Sequence, residues 1–229
     1  MKIRHLSTLA LVAVLSGCAT TGGANNSQDP IEGFNRAMFT FNDKFDQIAF
    51  KPIATVYRNW LPLFLQTGAN NFFGNIADVW SAVNGYLQGS GVDGTTAVMR
   101  VAVNTTFGLG GVLDVSSAAG LEKKDKDFGQ TLGKWGVGSG PYVVLPWFGP
   151  SNVRDTVALP AYFYGDIWFY KYPVRWRNTG TFVRLVDQRA NLLDASILLG
   201  DAALDRYEFV RDAYTQRRQS QIDGPGKED

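Results

Sequence analysis

The sequence predicts a mostly α-helical protein built as one domain, and three observations predict it. Apolar residues recur three and four apart through most of residues 29–219, the period that lines one face of a helix. Several of these runs carry helix punctuation, with Asp29-Pro30-Ile31-Glu32 at a start and Lys51-Pro52 and Pro62 at stops. Roughly 200 residues follow the N-terminal segment, enough for one domain with its own core. Residues 140–150 alone resist a helical reading.

Asp29 suits an N-cap, Pro30 the first helical position, and Glu32 is placed to reach back to the N-cap amide. Phe34, Met38, Phe41, Phe45 and Ile48 then form one stripe, which Phe39 and Phe50 widen towards two contact surfaces. Lys51-Pro52 is expected to end this helix, because the residue before a proline is pushed out of the α region. Ile53, Val56, Tyr57 and Trp60 mark a short helix up to Pro62, and Phe72, Ile76, Val79, Val83 and Leu87 a longer one from Asn70. Thr95 to Phe107 carries strand-favouring Val98, Val101 and Val103. It is assigned as helix, since a lone strand would leave its backbone unpaired.

Val112 to Ala119 gives one or two turns of helix, and Glu122-Lys123-Lys124-Asp125-Lys126-Asp127 alternates in sign as a solvated loop does. Phe128, Leu132 and Trp135 mark a short helix. Past residue 150, Ser151 is a fair N-cap for a helix through Val153 and Val157, limited by Pro160. Ala161 to Tyr172 is crowded with aromatics, as either a core or a membrane-facing girdle would be. Longer helices follow from Arg177 to Leu199 and from Leu204 to Gln219, and residues 223–229 read as a polar tail. Arg211, Arg217 and Arg218 sit towards the end of the last helix that its dipole favours.

The exception is Gly140-Pro141-Tyr142-Val143-Val144-Leu145-Pro146-Trp147-Phe148-Gly149-Pro150, nearly all apolar and broken by prolines and glycines. Surface loops are normally polar, so this one packs against something apolar. It reads either as a short buried strand or core-filling hairpin, or as a wedge that faces lipid or lines a lipid path.

Residues 1–17 have a basic start at Lys2 and Arg4 and an apolar run from Leu9 to Leu15, too short to span a bilayer, and so read as a signal peptide. Leu15-Ser16-Gly17-Cys18 resembles a bacterial lipoprotein cleavage box, which implies lipidation of Cys18, the sole cysteine. Several acyl chains would make such an anchor effectively permanent. Ala19 after the cysteine leans towards the outer membrane rather than retention in the inner one. Residues 18–28 are small and polar and form a tether reaching about 18 Å, so the domain, residues 29–222, rests near the membrane surface.

Cleavage removes two of 22 basic residues and leaves 20 against 21 acidic ones, net −1, which argues against nucleic acid as a partner. The one histidine, His5, leaves as well, so the mature chain has neither histidine nor free thiol for a Ser-His-Asp, Cys-His or Cys/His-zinc site. No cofactor and no metal are expected. Gly108-Leu109-Gly110-Gly111 and Gly136-Val137-Gly138-Ser139-Gly140 lack the Lys-Ser/Thr of a phosphate-binding loop and read as turns. Aromatic residues, 13% of the chain, suit a protein at a membrane interface.

Spaced motifs then resemble one family. Asp29-Pro30-x-Glu32-x-Phe34-Asn35-Arg36-x-Met38-x-x-Phe41-Asn42 is similar to the opening of the VacJ/MlaA lipoproteins. Arg100, Asn104-Thr105, Gly108 to Gly111 and Asp114 agree, as do Asp127 to Gly133, Arg154-Asp155, and Asp205-x-Tyr207-x-Phe209-Val210-Arg211-x-Ala213-Tyr214. The resemblance implies a helical ring in the inner leaflet of the outer membrane with an amphipathic channel at its centre. Phospholipids astray in the outer leaflet would pass through it to a soluble periplasmic carrier and on to an ATP-driven inner-membrane transporter. It also implies association with an outer-membrane porin trimer, and a channel-side hairpin at about 140–155 that influences the channel's state. The tail here is shorter than in some relatives.

Arg36, Arg100, Arg154 and Arg211 could meet phosphate head groups, though structural ion pairs are the better expectation. Two other readings are open. One is a lipid-anchored structural adaptor of porins that moves no lipid, and the other is a carboxylate-dependent hydrolase using an acid such as Asp155 or Asp166.

Overall fold

The computed structural model describes residues 29–202 and 204–224. The expected signal peptide, Cys18 and tether, and residues 225–229, lie outside the described residues. Helix α1 (Glu32–Phe45) runs through a π-helical turn (Asp46–Phe50) into α2 (Lys51–Trp60). Pro52 therefore does not end the first helix, contrary to expectation, and the π turn is the reason. The Lys51 amide bonds to the Asp46 carbonyl five residues back. This widened turn leaves room for a proline ring that would otherwise meet the carbonyl four residues before it.

Helix α3 (Leu63–Leu87) begins earlier than Asn70, and α4 (Gly91–Phe107) is helical as assigned, with Ser90 capping the Asp93 amide at 3.4 Å. After α5 (Val115–Ala118) the charged loop leads into α6 (Phe128–Lys134), capped by Asp127 on the Gln130 amide at 2.8 Å. The loop is not simply solvated. Lys123 pairs with buried Asp78 on α3, and Lys124 and Lys126 pair with Asp93 on α4 at 3.0 and 3.3 Å, so it staples the two helices together.

Residues 140–150 enter an antiparallel hairpin of β1 (Tyr142–Leu145) and β2 (Gly149–Asn152), with Val144 opposite Pro150. Then come α7 (Val153–Gly165), a 3₁₀ turn (Ile167–Tyr170), α8 (Val174–Asn191), α9 (Leu193–Ala202) and α10 (Arg206–Asp223). Ser151 lies in β2, and the cap of α7 is Asn152, which accepts from the Asp155 amide at 2.8 Å. The helix continues past Pro160, contrary to expectation, with the proline on its exposed side. The helix expected from 177 to 199 breaks at Leu192, and the break turns Leu193 inward against Ala54 and Ala190.

Packing runs α1, α2, α8, α3, α6, α10 and back through the hairpin to α1, so the elements close into a ring. Among the described residues, no helix is long and apolar enough to cross a membrane. The interior is unusual. More polar and charged residues than apolar ones are fully buried, while large apolar side chains such as Ile48, Trp60, Leu63, Phe64 and Phe107 stand exposed. A water-soluble domain buries its large apolar residues, so this distribution belongs to a protein whose outside meets something other than water.

Candidate functional site

The hairpin is hung on α1 by two asparagines, seven residues apart on one helix face. Asn35 accepts from the Val144 amide at 2.8 Å and donates to the Tyr142 carbonyl at 3.0 Å, behaving as one residue of a neighbouring strand. Asn42 accepts from the Trp147 amide at 2.8 Å and donates to the Leu145 carbonyl at 2.9 Å. Behind Asn35 lies Asp29, which is buried, accepts from Asn35 at 2.7 Å and from the Tyr207 hydroxyl, and faces Arg211 at 3.6 Å. Asp29 is therefore a tertiary anchor and not the N-cap, and α1 starts after Ile31 without a side-chain cap. Glu32 turns to Arg36 at 2.6 Å instead of the cap amide. Burial, and then the nearby Asp29 charge, pushes the Tyr142 hydroxyl up to about 12, so it stays protonated.

The base of the hairpin is core and its tip is not. Val144 is 0% exposed, whereas Trp147 and Phe148 are 67% and 60% exposed. Trp147 holds a left-handed backbone, φ 62°, which a bulky residue adopts only when its surroundings impose it. Gly140 makes the entry possible, with φ 65° and a Val153 carbon 3.0 Å from where a Cβ would stand. At the tip, the Trp147 ring meets Phe41 at 5.7 Å and the Phe148 ring meets Phe163 at 6.0 Å, which links α1 to α7.

Phe148 also lines an apolar cavity of about 610 Å³, between α7, the 3₁₀ turn and α8, with Phe163, Trp168, Phe169 and Phe182. A second, more polar cavity of about 400 Å³, lined by many charged side chains, has walls from α3, the charged loop, α6, α7, α8 and α10. Tyr162, Asp166, Arg184 and Gln188 belong to both. The polar cavity in turn shares Asp125, Lys126, Gln130 and Gln221 with a third, of about 520 Å³, that is edged by Lys124 and Lys134. An apolar cavity at the hairpin tip thus adjoins two whose linings are rich in charged groups of both signs.

The sequence of this chain matches the pattern of the MlaA lipoprotein over residues 27–221. The chain belongs to the MlaA lipoprotein family. It is 38% identical over 227 residues to the intermembrane phospholipid transport system lipoprotein MlaA of Escherichia coli (strain K12), covering 95% of this chain and 88% of that one. The protein of the same name from Haemophilus influenzae is 33% identical, with 93% and 89% covered. A chain solved in work on the structural basis for maintenance of bacterial outer membrane lipid asymmetry superposes with a TM-score of 0.74 at 36% identity. That match covers 85% of this chain and 98% of the solved one.

In this MlaA-family chain the four arginines singled out from sequence sit in ion pairs. Arg36 pairs with Glu32 and Asp205, Arg100 with Asp78 and Asp114, Arg154 with Asp155, and Arg211 with Asp212. The polar cavity is lined by other cations: Lys126 of the charged loop, Arg217 and Arg218 of the last helix, and Arg184, which the sequence did not single out. Arg218 bonds Asp127 at 2.6 and 2.9 Å and Asp155 at 2.7 Å, and the Tyr214 hydroxyl donates to Asp155 at 2.6 Å. Burial opposes ionisation of Asp155 and Asp127, but the hydrogen bonds from Arg218 win and hold both carboxyls below their usual range. Both are therefore committed anions. Among the described residues no cluster of His, Cys, Asp and Glu is arranged to hold a metal.

Proposed function

We propose that this protein is a lipid-anchored phospholipid conduit on the periplasmic side of the outer membrane, tethered through Cys18. It withdraws misplaced phospholipid from the outer leaflet, passes it through the ring and hands it to a soluble periplasmic carrier, seated beside a porin trimer. The observation that carries this reading is the wall shared by an apolar cavity and a more polar one rich in charged groups. A phospholipid needs both surfaces at once, one for its acyl chains and one for its head group, and needs no bond made or broken. The exposed apolar exterior and the names of the relatives agree with it.

The hairpin of Gly140 to Pro150 is the gating element in this reading, because Phe148 lines the apolar cavity from a tip that is otherwise exposed. Deletion of the gene should raise outer-leaflet phospholipid, measured by surface labelling or outer-membrane lipase digestion, and a plasmid copy should reverse it. A crosslinked Phe148→Cys, Phe163→Cys pair, placed where two rings meet at 6.0 Å, should fail to reverse it. An unchanged outer leaflet in the deletion strain would favour a structural adaptor of porins instead. Full rescue by the confirmed crosslink would remove the gating role alone.

A further inference from the structure

We infer that Arg184 is a docking point for the phosphodiester of a lipid in transit, and that Asp166 is an internal anion that fills this point while no lipid is present. The inference rests on the conduit reading and deepens it. Of the four residues common to the apolar and polar cavities, Arg184 is the only cation. A lipid whose tails lie in the first cavity and whose head group enters the second must carry its phosphate past that junction.

The geometry at the junction is suited to exchange. Arg184 Nη1 donates to Asp166 Oδ2 at 2.6 Å and Nη2 donates to the Tyr162 hydroxyl at 3.2 Å. A guanidinium has five N–H donors, so two bonds leave capacity for a tetrahedral anion. Arg218 in the same cavity is bound by two carboxylates, which makes it structural by contrast. Asp166 has a second bond to fall back on, since its Oδ1 accepts from the Trp168 amide at 2.9 Å and caps the 3₁₀ turn. It can surrender Arg184 and keep its place. The pair is largely buried, with 12% and 17% of the side chains exposed, so a lipid phosphate would replace one anion by another without stranding the cation.

The test is titration of the detergent-solubilised full chain with short-chain phosphatidylglycerol, with glycerophosphoglycerol, which lacks the tails, and with dioctanoylglycerol, which lacks the phosphate. Arg184→Gln should weaken phosphatidylglycerol about tenfold, the scale of one charge-assisted hydrogen bond, and leave dioctanoylglycerol unchanged. Arg184→Lys should lose less. Asp166→Asn, which keeps an oxygen for the Trp168 amide, should tighten phosphatidylglycerol several-fold, a direction that misfolding does not mimic. Weakening by both Gln and Asn variants would make the pair merely structural and overturn the inference, as would no change in either. Glycerophosphoglycerol binding as tightly as the lipid would make the point a site for free phosphodiesters and overturn the lipid assignment. Failure of the unmodified chain to bind phosphatidylglycerol would bring down the conduit reading itself.

Discussion

At its base the hairpin is gripped by buried side chains, with Asn35 bonded to both sides of a backbone step, Asp29 behind it and Tyr207 closing the cluster. At its tip the backbone is clasped once more, by Asn42 on the Trp147 amide, but the Trp147 and Phe148 side chains are mostly exposed and make only apolar contacts. Polar bonds in a buried site demand one geometry, whereas apolar contacts tolerate sliding and exchange with lipid. The backbone is set along the whole hairpin, and freedom is kept by the side chains at its tip.

The largest effect should come from attacking the base. Asn35→Leu strands the Val144 amide, the Tyr142 carbonyl and one oxygen of Asp29 in the interior, and should cost about 3–5 kcal/mol in denaturant unfolding. A loss under about 1 kcal/mol would show that the grip is ornamental. Acid provides a gentler attack at the same end. Asp155 is hydrogen-bonded to the α10 side chains Arg218 and Tyr214, and its folded pKa lies below the ordinary carboxylate value. Its contribution is therefore complete above about pH 4 and lost as the pH falls through the depressed value, so the melting temperature should drop on acidification. Asp155→Asn should make that drop shallower. Phe148→Ala should mark the smallest change, within about 0.5 kcal/mol in stability because the ring is exposed. Its effect should appear in outer-leaflet phospholipid, and a large stability loss would erase the contrast between tip and base.

Helical stripes made most of the secondary structure legible, and the spaced motifs carried the family. The stripes misled about where they point. Phe41 and Ile48 belong to the apolar stripe of the first helix and Trp60 to that of the second, yet all three are exposed, because periodicity shows that a face is apolar and not what covers it. Asp29 is expected as an N-cap, and Asn35 and Asn42 stand only as members of a motif; only the fold brings the two asparagines to a hairpin more than a hundred positions away. Pro52 looked like a stop because the rule for proline presumes a tight α-turn. Arg184 lies in an amphipathic helix between Val183 and Leu185, where a lone arginine carries no signal, and its cavity exists only once α3, α7 and α8 meet.

The two asparagines that hold the hairpin also act as a ruler. The seven residues from Asn35 to Asn42 rise about 10.5 Å along α1, and their partners run from Val144 in β1 to Trp147 in the turn after it, so one length of helix serves both clasps. One residue inserted or removed between 35 and 42 turns the second asparagine about a quarter of the way round the helix and opens its clasp. The length of α1 between the two asparagines is therefore fixed, while insertions and deletions are confined to the loops elsewhere in the ring.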